Sequence, residues 1–373
     1  MHRYLILAGY LLSAIGLTSL QAQPGSWGLG LTYSQGNTLR HRSTMVFALP
    51  RPAQALSLEA IRQTDGRRYA EAVLHRFRWG MGATWLNYGG HRDELGYAWA
   101  VYPFFDLPLL RNARLSLWAR MSMGLAYVDR TYDRVHNPIN NAIGSHINNY
   151  TAVALLGELR VSPRWSLRVG GSFAHQSNAK YAQPNLGLNT AKLQGGLTYR
   201  WRVDEAITPF VVDEVPFDRR VHVGGRVGLG LTEKNAPNGP QYPVVTSALY
   251  VSRRVARGSK FFTGFEYSYE AEVRAFMIDN DIPPGTPRWY PNKTAWLFGY
   301  ELGCGHFGMS GQYLLYLQRL PEGKLSAWGT KFGPHIYLKN QDRQPRSNVF
   351  FAVYLLTEVA VAKYFETSIG VIF

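Results

Sequence analysis

The stretch Trp165-Ser166-Leu167-Arg168-Val169-Gly170-Gly171-Ser172-Phe173-Ala174-His175-Gln176-Ser177 alternates between two kinds of side chain. Residues two apart on an extended strand share a face. Trp165, Leu167, Val169, Phe173, His175 and Ser177 therefore lie on one side, with Ser166, Arg168, Ser172 and Gln176 on the other. An apolar stripe backed by a polar one, over about ten residues or more, is the pattern of a strand with lipid outside and a polar lumen inside.

Outward from this segment the alternation recurs between turn residues. Strands are expected near 79–88, 95–106, 113–127, 149–160, 164–176, 190–202 and 220–231, then near 241–254, 258–275, 294–304, 306–317, 327–338, 347–357 and 362–373. Residues 25–78 add two to four more, with Arg62 to Arg78 readable as a loop or a short helix. The expected fold is all-β, a transmembrane antiparallel β-barrel of the outer membrane with about 14–18 strands. In the last strand Thr367, Ile369, Val371 and Phe373 share an apolar face. That stripe and the terminal Phe resemble a barrel assembly signal.

Composition agrees. Charged residues make up 17% of the 373, where a soluble domain carries about a quarter. Aromatics reach 14% and there are 37 glycines. Past the leader, no apolar run approaches the roughly 20 residues of a spanning helix. Met1-His2-Arg3, the apolar run Tyr4 to Leu20 and Ala22 read as a signal peptide over 1–22, with Gln23 first in the mature chain. Cys304 is the only cysteine, which excludes an intramolecular disulfide and a thiolate metal cluster. The net charge of +15 is dispersed, so it marks no nucleic-acid partner. At an outer rim such cations suit the phosphates of lipopolysaccharide, and they suit solvated loops equally.

Sidedness follows from loop length, because periplasmic turns are short and extracellular loops long. With the last strand descending, 161–164, 255–258 and 304–306 are periplasmic, and 128–148 and 276–293 are extracellular. The long, Pro-containing segment 203–219 falls on the periplasmic side and marks a seam between 23–202 and 203–373. Strand 164–176 then ascends, and His175 and Ser177 emerge on the lipid-facing wall at the outer leaflet. Polar groups there are costly and point to function. A serine hydroxyl becomes a nucleophile when an adjacent base takes its proton, and histidine is the usual base. Asn189, sharing parity with Ala191, Leu193 and Leu197 on the descending strand, is a candidate to orient the imidazole. Glu158 points into the lumen and is discarded.

His175-Gln176-Ser177-Asn178-Ala179, followed by Gln183-Pro184-Asn185-Leu186-Gly187-Leu188-Asn189, resembles the signature of the PagL-like lipid A 3-O-deacylases. Arg62-Gln63-Thr64-Asp65-Gly66 and Asn141-Ala142-Ile143-Gly144-Ser145-His146 resemble it further. The resemblance covers residues 50–202. It implies an outer-membrane serine esterase that removes an acyl chain from lipid A without metal or other cofactor. By position it makes Ser177 the nucleophile and His175 the base, with Asn185 and Asn178 at the oxyanion. The best-known members carry Glu where this chain has Asn189, and they are small barrels with no counterpart to 203–373.

Two other functions compete. Outer-membrane phospholipases also carry a His-x-Ser-Asn segment, use Asn as the third triad member and need calcium. A passive pore with a degenerate esterase-like half is the other, since a barrel of about fourteen strands can hold a channel. Ser145-His146 would point to opposite faces of a strand, though they could pair in a loop. Asp279-Asn280-Asp281 reads as an exposed acidic loop before it reads as a cation site. A homodimer is left open by the sequence.

Overall fold

In the computed structural model, which describes residues 26–66, 69–201, 217–233, 237–284, 291–317, 327–358 and 361–373, the strands close into two antiparallel barrels. The first holds β1 (Ser26–Leu39), β2 (Ala53–Gln63), β3 (Arg78–Asn87), β4 (Tyr97–Arg111), β5 (Leu115–Val128), β6 (Ile147–Arg160), β7 (Trp165–Ser177) and β8 (Leu188–Arg200). The second holds β9 (Val221–Glu233), β10 (Gln241–Ala256), β11 (Ser259–Glu270), β12 (Asn292–Cys304), β13 (Phe307–Tyr316), β14 (Trp328–Tyr337), β15 (Asn348–Glu358) and β16 (Val361–Ile372). The expected leader, 1–22, lies outside the described residues, as do 203–216 of the proposed seam.

The sixteen strands among the described residues fall within the expected range, but they close as two rings of eight and not as one wide sheet. β8 returns to β1, from Gly28 opposite Arg200 to Leu39 opposite Asn189. β16 returns to β9, from Glu366 opposite Gly230 to Ile372 opposite Gly224. Alternation along a strand fixes its two faces and leaves its partners unspecified, so this division is invisible to a local reading. Closure gives every strand two neighbours and removes unpaired edges, as lipid requires.

A ring of eight strands is just wide enough for side chains to fill. In the first lumen Arg78 pairs with Asp106 at 3.0 Å and with Glu158 at 2.5 Å. Arg120 bridges Asp106 and Glu59, and Arg168 reaches Glu59 at 2.6 Å. Above them pack Phe47, Tyr88, Leu95, Tyr102, Tyr150 and Leu188. In the second lumen Lys331 lies between Glu266 and Glu366, and Arg226 also binds Glu266. Each of these named charges has an opposite partner, without which burial would be prohibitive. The pore reading presumed one wide ring, and these filled lumens remove its basis.

Outward residues such as Leu31, Leu58, Val101, Leu155, Leu193, Leu249 and Phe265 are apolar and exposed. The connections 112–114, 161–164, 257–258 and 305–306 gather at one end, and 40–52, 129–146, 178–187 and 271–284 at the other. A short helix α1 (Tyr69–Val73) lies in the ambiguous 62–78 region, at the short-turn end. The strand expected over 258–275 stops at Glu270, and Ala271–Asp279 forms helix α2. Ala271, Glu272, Arg274, Ala275 and Met277 favour a helix, and here the chain leaves the ring and no ladder overrides that preference.

Candidate active site

β7 carries its alternation unbroken to the long-loop end. Ser166, Arg168 and Gln176 are buried in the lumen, while Trp165, Leu167, Val169 and Phe173 are exposed outside. His175 and Ser177 share the outer face. β8 places Asn189 directly opposite His175, and β6 places Thr151 opposite His175 and Asn149 opposite Ser177. Five polar side chains thus form one patch on an otherwise apolar wall.

The patch is ordered as a hydrogen-bonded chain. His175 Nδ1 lies 2.6 Å from Asn189 Oδ1, and His175 Nε2 lies 2.9 Å from Ser177 Oγ. An amide oxygen only accepts, so Nδ1 carries the proton and donates it to Asn189. Nε2 is then free to accept from the Ser177 hydroxyl, the tautomer a general base needs. Asn149 and Thr151 hydrogen-bond each other beside this chain. Neither was singled out from sequence, although their parity with Val153 and Leu155 is the signal that would have found them.

The serine is shielded. Ser177 is 6% exposed, whereas Leu193 on the same wall is 77% exposed. The cover is the β7–β8 loop, residues 178–187. At Gly187, where φ is +78°, a Cβ would sit 2.8 Å from His175 Cε1 and 3.0 Å from the Gln176 carbonyl oxygen. Only glycine accepts both the left-handed backbone and that approach. Gly187 N donates to Ala142 O at 2.9 Å, and His41 Nε2 lies 2.9 Å from Leu186 O.

Asn178 N donates to Asn185 Oδ1 at 3.0 Å, so the two asparagines proposed for the oxyanion meet beside the serine. Their side chains differ. Asn178 Nδ2 donates to Ser145 Oγ at 2.8 Å and its Oδ1 accepts from Ala182 N at 3.3 Å, which ties it into the loop. Asn185 uses only its oxygen in the Asn178 contact, and its amide nitrogen remains as a donor.

The upstream resemblances separate in space. Segment 141–146 packs under the β7–β8 loop, and a Cβ on Gly144 would come within 2.8 Å of the Ala182 carbonyl oxygen. Ser145 and His146 do not pair: His146 Nδ1 binds Val128 O at 2.7 Å and its ring stacks on Tyr127. Segment 62–66 lies at the opposite end of the barrel, where Thr64 Oγ1 donates to Phe77 O and Gln63 Nε2 to Arg76 O. Asn280 Nδ2 caps α2 on Phe276 O, and no cluster of three or more metal-ligating side chains occurs among the described residues. Glu158 sits in the lumen network, as expected.

Residues 62–198, from the end of β2 through most of β8, match the family model of lipid A 3-O-deacylase (PagL). The first barrel is PagL-like. The protein is thus an outer-membrane β-barrel whose first ring is similar to that family over the matched residues. The crystal structure of the outer membrane enzyme PagL is 16% identical, covering 45% of this chain and 97% of that one, with a TM-score of 0.30. The toluene transporter TodX of Pseudomonas putida is 9% identical over 93% of this chain and 87% of its own, with a TM-score of 0.17. The translocator domain of autotransporter NalP from Neisseria meningitidis is 8% identical over 99% and 95%, with a TM-score of 0.18. These likenesses are too distant to bear on function. Among curated proteins, none matches the chain.

Proposed function

We propose that the PagL-type barrel hydrolyses an ester-linked acyl chain of lipid A in the outer leaflet. The observation that carries this reading is the chain Ser177 Oγ, His175 Nε2, His175 Nδ1, Asn189 Oδ1, built on a lipid-facing wall. Ser177 Oγ attacks the acyl carbonyl carbon as its proton passes to His175 Nε2. The carbonyl oxygen becomes an oxyanion, which Asn185 Nδ2 and loop amides stabilise by donated hydrogen bonds. His175 then gives the proton to the departing sugar alkoxide, leaving an acyl-serine. A water, deprotonated by the same Nε2, releases the fatty acid and restores the hydroxyl.

Asn189 holds the imidazole in its working tautomer but brings no charge to balance the imidazolium. A third-member Asn also suits a phospholipase, so the test must read both substrates. Lipid A and phospholipids from cells expressing wild type or Ser177→Ala are compared by mass spectrometry, with and without chelator. Loss of one hydroxyacyl chain from lipid A, dependent on Ser177 and insensitive to chelator, is the expected result. Release of phospholipid acyl chains with lipid A intact would replace this reading with the phospholipase one, and no hydrolysis of either lipid would end both.

A further inference from the structure

The loop that covers Ser177 contains two consecutive non-glycine residues in the left-handed region, Ala179 with φ +49° and Lys180 with φ +66°. That conformation is strained for residues with a Cβ and persists only where surroundings impose it. Part of the imposition is local: Tyr181 N donates to Asn178 O at 3.0 Å. The rest comes from the second barrel. Glu233 N donates to Lys180 O at 2.9 Å. The Glu233 carboxylate accepts from Gln183 N in the loop and from the backbone N–H groups of Asn238 and Gly239 in its own hairpin. Gln241 Nε2 donates to Tyr181 O at 3.0 Å. Lys180 Nζ grips both oxygens of Glu272 on α2, at 2.6 and 2.7 Å.

We propose that the second barrel is a positioning domain for the first, clamping loop 178–187 through the Lys180–Glu272 ion pair and Glu233. This rests on the reading of Ser177 as nucleophile, and it assigns a role to strands that have no counterpart in a single ring of eight. The clamp acts two residues from Asn178 and Asn185 on either side, so it sets where the oxyanion donors stand relative to the serine. Lys180, Glu233 and Glu272 touch no reacting atom. They are positioning residues, and their loss should lower kcat and leave KM nearly unchanged. Lys180 and Glu272 are both largely buried, with side-chain exposures of 19% and 13%, which favours a pair strong enough to hold a loop.

The test is a charge exchange in the full chain. Lys180→Glu and Glu272→Lys are made singly and together, and amide hydrogen exchange over 178–187 is measured beside lipid A hydrolysis. Each single variant should speed exchange in the loop and lower kcat, both by about tenfold, and the double variant should recover most of both. Glu233→Ala gives a second route to the same loosening if one charge variant fails to fold. Unchanged exchange in the single variants, or loosening that the double variant does not reverse, overturns the clamp. If exchange follows the charge swap while wild type cleaves no lipid, the clamp stands and the esterase reading alone fails.

Discussion

Each barrel contains a serine, a histidine and a third group in hydrogen-bonded sequence, and only one of the two arrays lies on the outer wall. In the first, Ser177, His175 and Asn189 are linked by 2.9 and 2.6 Å. In the second, Ser310 Oγ lies 3.0 Å from His335 Nε2, and His335 Nδ1 lies 3.1 Å from Glu301 Oε2. By residue type the second is the stronger triad, since it has the acid that the first lacks. Yet Ser310, His335 and Glu301 are all buried in the lumen, and the His335 ring stacks on Phe350 at 5.1 Å. Tyr354 OH competes for the same Nε2 at 2.7 Å, and Glu301 is already paired with Lys260. The inward array satisfies buried polar groups; the outward one meets lipid. Strand parity, more than distance, separates a site from a filler.

The widest test of that contrast is removal of the proposed outward nucleophile and base. Ser177→Ala and His175→Ala should each lower lipid A hydrolysis by about 10³-fold or more, because serine and base act as a unit. Both residues lie on the outer wall away from the lumen core, so heat-modifiable migration of the barrels should persist. Residual hydrolysis near wild type in either variant would transfer the chemistry elsewhere.

A smaller loss is expected from the loop that shields the serine. Gly187→Ala forces a left-handed backbone on a residue with a Cβ and drives that Cβ to 2.8 Å from His175 Cε1. Displacing the imidazole or the loop by about 1 Å should cost about 10²-fold in kcat. Wild-type kinetics in this variant would mean that the loop does not stand over the imidazole during turnover.

Much of this was legible in the sequence because it is governed by period two. The faces of β7 follow from alternation alone, as does the shared face of His175, Ser177 and Asn189. What alternation cannot show is pairing between distant strands, and so the return of β8 to β1 escaped a local reading. The same limit hid Asn149 and Thr151, which become neighbours of the pair only through the β6–β7 register. The contacts of Glu233 and Glu272 with the β7–β8 loop join residues far apart in sequence, and nothing local marks them. The resemblance at 62–66 lies within the stretch matched by the family model, yet that segment braces the barrel at the end opposite the serine, so it marks the family and not the site.

The missing acid can be supplied. Asn189→Glu should keep the bond to His175 Nδ1 and add a negative charge beside the imidazolium, raising kcat by about tenfold. Loss of hydrolysis would show that the wall around Asn189 is built for an amide. That outcome would also narrow the chemical gap between the outward array and phospholipase-like sites.

The smallest effect belongs to the inward array. Ser310→Ala removes a hydroxyl that meets His335 Nε2 and accepts from Gln312 Nε2 at 3.3 Å, while Tyr354 remains on the imidazole. The variant should lose about 1 kcal/mol, seen as a slight fall in the temperature of heat-modifiable unfolding, because one neutral hydrogen bond is lost and its partners stay largely satisfied. Lipid A hydrolysis should not change, since no lipid reaches a lumen filled by Tyr337, Phe350 and Tyr354. A fall in hydrolysis with the fold intact would reverse the contrast between the barrels and make the sealed array, with its glutamate, the one that reacts.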